Sequence, residues 1–325
     1  MTGAYRPEGH APGMKRAFVF PGQGSQTPGM GQALAAAFPA ARQLFDEVDE
    51  ALSQHLSRLM FEGPEQELML TENAQPALLA ASLAVIRVLE MEAGFEIARE
   101  AAYVAGHSLG EYSALAAARA LSVAAAARLV KRRGQAMQKA VPVGVGAMAA
   151  LLGLDIAAAR AVAEAAARGE VCALANDNSP GQIVVSGHKG AVERAVALAA
   201  ERGARAIMLP VSAPFHCSLM SPAADIMAEA LAETALEAPL VPLVANVAAT
   251  ATSDPEEIKG LLVEQTTGMV RWRESILLFA ANEVEEVVEI GAGRVLAGLV
   301  KRIDRALSAR SVGSPAEIEA LVQIL

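Results

Sequence analysis

Apolar residues along this chain fall into two rhythms, short unbroken runs and stripes that return every three or four positions. Ala17-Phe18-Val19-Phe20 is a continuous run that stops at Pro21-Gly22, as expected of a strand buried on both faces of a parallel sheet. Helical patterns follow, Tyr103-Val104-Ala105 is a second such run, and helix returns after it. Strands alternating with helices predict an α/β domain with a parallel sheet. Between Gly146 and Pro210 the rhythm changes. Strands are predicted over 147–153, 171–175, 182–186 and 206–209, with helices over 155–168 and 191–202. That order, βαββαβ, is the ferredoxin-like pattern. After it the α/β alternation resumes, with strands at 241–244 and 284–290. The expectation is an α/β-hydrolase-like large domain with a short parallel sheet over 14–143 and 211–325. A ferredoxin-like (βαββαβ) small lobe is inserted over 144–210.

Composition narrows the class. Apolar residues make up 53% of the 325 and charged ones 19%, which excludes disorder; only 4% are aromatic, and the abundance of Ala points to close-packed helices. A net charge of −9 offers no basic face for nucleic acid or an anionic membrane. Cys172 and Cys217 have neither metal-ligand spacing nor the density of a disulfide framework, so no metal and a reducing cytoplasmic setting are expected. The longest apolar stretches are interrupted, for instance by Arg87, short of the roughly 18 residues that a membrane span needs. Residues 1–13 lack a hydrophobic signal core and read as a disordered leader or an appended remnant, with Met14 as a start.

The candidate chemistry begins at Gly106-His107-Ser108-Leu109-Gly110, between an apolar strand and a helix. This is the strand–turn–helix setting of a nucleophile elbow, where Ser108 is held outward and the next amide, Leu109, can donate to an oxyanion. Such a serine needs a base. Of five histidines, His216 lies directly after an apolar strand, where α/β sheets place their chemistry. His10 is in the leader, His55 is on a polar helix, His107 adjoins the nucleophile and points elsewhere, and His188 reads as solvated. Cys217 offers a Cys–His alternative, but consecutive side chains diverge, so it reads as a buried filler. On the helix that follows the elbow, Arg133 falls inside the apolar stripe of Ala126, Leu129, Val130, Met137 and Ala140. A cation facing inward needs a partner, either an internal carboxylate or that of a substrate. The Gly22-x-Gly24 loop lacks the third glycine of a dinucleotide fingerprint. It is better read as supplying a backbone amide, such as that of Gln23, to an oxyanion hole.

Together, Phe18-Val19-Phe20-Pro21-Gly22-Gln23-Gly24-Ser25-Gln26, Gly106-His107-Ser108-Leu109-Gly110-Glu111, Arg133-Gly134, Asn178-Ser179-Pro180-Gly181-Gln182, Pro214-Phe215-His216, Gln265 and Glu289-Ile290-Gly291 resemble the malonyl-CoA:acyl carrier protein transacylases from Met14 to the C-terminus. The resemblance implies that Ser108 is acylated, that His216 is its base, and that Arg133 holds the malonyl carboxylate. It implies an oxyanion hole from the amides of Gln23 and Leu109, and a main-chain carbonyl near Gln265 that orients the histidine. It further implies that Gln23, Asn178 and Phe215 lie against the substrate, Asn176 and Asn178 being small-lobe asparagines near the cleft. Phe215 before the histidine fits a malonyl preference. Malonyl-CoA and acyl carrier protein are the implied partners, with the coenzyme A thioester as substrate, no bound cofactor, and a monomer.

Two rivals stand beside this expectation. A serine esterase or thioesterase would share the dyad but lacks a use for Arg133, and a non-catalytic acyl sensor would not need all three residues. The pathway, fatty acid or polyketide, stays open. For an acidic carrier, a chain at −9 needs a local basic patch. The candidates are Lys301 and Arg302, with Lys189, Arg202 and Arg205 on the small lobe.

Overall fold

Arg16–Phe20 is buried at every position, because its two faces meet two different apolar layers. The computed structural model describes residues 14–325, so the leader expected over 1–13 lies outside the described residues. Phe18 and Phe20 join one core cluster with Val104, Val288 and Ile290, while Ala17 and Val19 join another with Ala105, Val244 and Val287. Alternation along strands covered by helices on both sides produces this division.

In chain order the strands are β1 (Arg16–Phe20), β2 (Tyr103–Gly106), β3 (Gly146–Leu152), β4 (Cys172–Ser179), β5 (Gln182–His188), β6 (Arg205–Met208), β7 (Leu243–Val244), β8 (Ala251–Thr252), β9 (Glu286–Ile290) and β10 (Ser308–Val312). One sheet runs β10-β9-β1-β2-β7-β8. Its first five strands are mutually parallel, and β8 pairs antiparallel with β7. The other runs β4-β5-β3-β6, entirely antiparallel. Two strands were not anticipated. β8 is only two residues long, and β10 is a partly exposed edge whose Ser308-Ala309-Arg310-Ser311 carries almost no apolar signal.

The antiparallel sheet is also covered on both faces. Ala147, Ala149, Leu151, Leu174, Ile183 and Val185 pack with the helices Ile156–Ala167 and Lys189–Glu201. The opposite face sets Met148, Ala150, Ala175 and Val184 against Ala136 and Met137 of the Val123–Ala140 helix, and against Ala213, Phe215 and Met220. The loop carrying His216 is thereby clamped between the two sheets' layers.

One apolar element calls for a correction. The helix Thr71–Ala93 is long and apolar enough to cross a membrane by length and composition, in spite of Arg87. However, 83% of its apolar window is buried inside the protein. Its side chains, among them Leu78, Leu79, Leu83, Val85 and Leu89, are spent on the main core. Arg87 lies at its edge, donating to Glu47.

Candidate active site

The turn after β2 needs its glycines for space. A Cβ on Gly106 would lie 1.8 Å from the Gly110 carbonyl carbon, and one on Gly110 would lie 2.3 Å from the Phe20 oxygen. With the strand and the Gly110–Ala117 helix pressed together, Ser108 takes φ 54°, the left-handed region unusual for a residue with a side chain. Its amide donates to Asn246 Oδ1 at 2.8 Å, and its carbonyl accepts from Gln265 Nε2 at 2.8 Å. The hydroxyl is left facing inward. Leu109 stands at the start of the helix, where backbone N–H groups have no intrahelical acceptor.

His216 has the second left-handed backbone of the site, at φ 59°. Its Nδ1 lies 2.8 Å from the Gln265 carbonyl and its Nε2 lies 2.9 Å from Ser108 Oγ. A carbonyl can only accept, so the proton sits on Nδ1 and the Nε2 lone pair faces the serine hydroxyl. The ring is 3% exposed. Burial, then the charge of Arg133, pull its pKa down to about 3, against the Gln265 carbonyl, which pulls upward. The imidazole is therefore neutral, with its Nε2 lone pair directed at Ser108 Oγ.

Arg133 is 1% exposed, as its place in the apolar stripe requires. Its Nη2 donates to Ser108 Oγ at 3.0 Å and to Gln265 Oε1 at 2.8 Å, and its Nη1 donates to Gln75 Oε1 at 3.0 Å. Its Nε is buried without a partner among the described residues, and the Tyr112 ring centroid lies 5.9 Å from the guanidinium carbon. Neutral oxygens hold this cation, and among the described residues no carboxylate touches it. A fixed, desolvated guanidinium beside the Ser108 hydroxyl can pair with an acidic group on an incoming molecule.

Three groups have no role assigned from the sequence, although Glu111 ends the elbow motif. Glu111, 1% exposed, accepts from the Asn246 amide at 2.6 Å with Oε1 and from Gln265 Nε2 with Oε2. Asn246 also donates through Nδ2 to the Gly106 carbonyl at 2.7 Å. Gln75 supports Arg133 from the Thr71–Ala93 helix. Glu111 carried a readable signal: a carboxylate on a helix otherwise fully buried is as misplaced as Arg133 on its stripe.

The remaining expectations divide. Asn178 accepts from or donates to neither Ser108 nor Arg133; its Oδ1 lies 2.9 Å from His107 Nε2, joining β4 to the elbow. Phe215 is buried in the layer under the antiparallel sheet. Gln23 is half-buried, with its Nε2 3.5 Å from Thr71 Oγ1. Cys217 is buried, its Sγ 3.2 Å from the Pro214 carbonyl. His188 is no solvated side chain, because its Nδ1 accepts from the Val171 amide at 2.9 Å. The five surface cations do not form one group. Arg205 pairs with Leu152, which also faces Gln182, and Arg302 donates to Gln182 Oε1 at 3.1 Å. Arg202 reaches the Ala158 carbonyl at that same end of the sheet. Lys189 follows the far end of β5, about 20 Å away at the rise of a strand.

Residues 17–318 match the acyl transferase domain family. The chain is 47% identical over 309 residues to a malonyl CoA-acyl carrier protein transacylase of Escherichia coli (strain K12), covering 95% of this chain and 99% of the relative. Among solved structures, an acyl-carrier-protein-S-malonyltransferase from Bartonella henselae superposes with a TM-score of 0.94 at 54% identity, covering 96% of this chain and 99% of that one. A malonyl-transacylase solved in complex with a type II PKS acyl-carrier protein superposes with a TM-score of 0.92 at 44% identity, covering 95% and 99%.

Proposed function

From the premise that this chain belongs to the acyl transferase domain family, we propose that it moves a malonyl group from malonyl-CoA to the phosphopantetheine thiol of an acyl carrier protein. One observation carries the reading: Ser108 Oγ lies within hydrogen-bond reach of both His216 Nε2 and the buried Arg133 Nη2. His216 takes the Ser108 proton as Oγ attacks the thioester carbonyl. The amides of Gln23 and Leu109 receive the tetrahedral oxyanion, and the developing imidazolium leans on the Gln265 carbonyl. The imidazolium then protonates the departing coenzyme A sulfur, leaving malonyl-Ser108. The carrier thiol attacks this ester by the reverse path. A malonyl carboxylate is one methylene from the reacting carbonyl, so a guanidinium 3.0 Å from the nucleophile stands where that carboxylate must lie.

In this reading the parallel sheet and its helices form a hydrolase-like catalytic domain over 14–143 and 211–325, and residues 144–210 form a ferredoxin-like lobe over the cleft. Asn178 and Phe215 shape that cleft from the lobe side and the histidine loop. The protein acts in the cytoplasm, without a bound cofactor. The carrier docks on the Lys301–Arg302 face together with Arg202 and Arg205, and Lys189 is too remote to share it.

Intact-protein mass spectrometry after incubation with malonyl-CoA tests the reading. A malonyl adduct that forms on the wild-type chain and is discharged by carrier protein supports it. Steady release of free malonate without carrier would instead mark a thioesterase.

A further inference from the structure

Glu111 touches no atom of the dyad, yet its hydrogen bonds reach every part of the site. Oε1 accepts from the Asn246 amide, and the Asn246 side chain grips the elbow twice, through the Ser108 amide and the Gly106 carbonyl. Oε2 accepts from Gln265 Nε2. The orientation of that amide is fixed, since Arg133 carries only donors and must face Gln265 Oε1. The same residue offers its main-chain carbonyl to His216. Among the described residues Arg133 has no carboxylate in direct contact, and the nearest buried carboxyl group in its network is Glu111, one amide away. Burial pushes the Glu111 pKa up to about 8, against the Asn246 and Gln265 donors and Arg133, which pull it down. Each carboxyl oxygen of Glu111 faces an N–H donor, so the hydrogen-bond geometry of the group ties these parts of the site together.

Resting on the transacylase reading above, we propose that Glu111 is the positioning residue of this site. Its carboxyl oxygens lock the left-handed Ser108 turn through Asn246, and through the Gln265 amide they fix the His216 support. Glu111→Gln keeps the size but presents an N–H2 to one of two N–H donors, so one bond becomes a donor–donor contact.

The experiment compares wild type, Glu111→Gln and Glu111→Asp. Reaction of Ser108 with phenylmethanesulfonyl fluoride is followed first, because this neutral reagent needs only the dyad's alignment. We expect the rate constant to fall about tenfold or more in Glu111→Gln at full final stoichiometry, and to recover partly in Glu111→Asp. With malonyl-CoA, kcat should fall while KM does not rise, since Arg133 keeps its Gln75 partner. A wild-type rate constant with reduced amplitude would mean loss of folded protein only and would overturn the proposal. So would a raised KM at unchanged kcat, which would make Glu111 a substrate-binding group. If Glu111→Gln does not accumulate, Asn246→Ala cuts the same arm from its other end and must show the same slowing; an unchanged rate constant there overturns the proposal equally. Should wild type react with the sulfonyl fluoride but never with malonyl-CoA, the function fails while the sulfonylation rates still decide the role of Glu111.

Discussion

Ser108 Oγ donates to one neighbour and accepts from another, so substitution can separate their contributions. Ser108→Ala should abolish the malonyl adduct and leave the unfolding curve near wild type, because only the hydroxyl reacts. An adduct of full yield, or one mapped to Cys217, would refute the assignment. Arg133→Ala should cost malonyl transfer about 2–5 kcal/mol, the range for truncating one side of a buried charge pair. Acetyl transfer, which has no carboxylate to place, should lose far less. Equal losses measured with both acyl donors would make Arg133 structural. For His216, a pKa held at about 3 means the ring stays neutral throughout the physiological range. A depressed base favours the folded state above its ordinary value of 6.5, and that stability is lost as pH falls towards about 3. The His216 ring resonances should therefore not titrate between about pH 5 and 8. In Arg133→Ala the midpoint should move up, because a neighbouring positive charge has gone.

At the scale of elements, the antiparallel sheet is fastened to the helices of the parallel sheet by a buried carboxylate. Asp177 on β4 is fully buried and meets Arg273 of the Trp272–Ala281 helix at 2.8 Å, while the Asp177 amide donates to the Val270 carbonyl at 2.9 Å. Arg273→Ala would leave that carboxylate unpaired, and a loss of about 3–5 kcal/mol in urea unfolding is expected. A loss below about 1 kcal/mol would show that water reaches Asp177. This fastening was invisible in the sequence, since nothing local marks residues 177 and 273 as neighbours. What is local was legible: the βαββαβ order and the strand–turn–helix at Ser108. Arg133 was legible because a helix period exposes a misplaced charge. Asn246 and Gln265 stand 135 and 154 residues from Glu111, so the hub they form depends on sheet order, which periodicity does not encode.

For the whole molecule the relevant quantity is charge. At −9 the chain repels an acidic carrier on average, so association needs a local field of opposite sign. Folding divides the candidate cations in a way that sharpens the expectation. Lys301 and Arg302 end the Val295–Ile303 helix, and Arg302 reaches across to Gln182, beside the β4–β5 turn that follows Asn178. Arg202 and Arg205 sit at that same end of the antiparallel sheet, whereas Lys189 sits at the other, near Glu193. Reversing Lys301 and Arg302 to Glu should thus slow transfer to carrier protein about tenfold at low salt, with the difference shrinking as salt screens it. Lys189→Glu should change little. Because Arg302 also bonds to Gln182, a change in the cleft itself must be separated from a change in docking, and free pantetheine as acceptor does so. It needs no protein surface, so its rate should hold in the double reversal. Equal slowing with pantetheine and carrier would mean that the Arg302–Gln182 contact supports the site, and the docking face would have to be sought elsewhere.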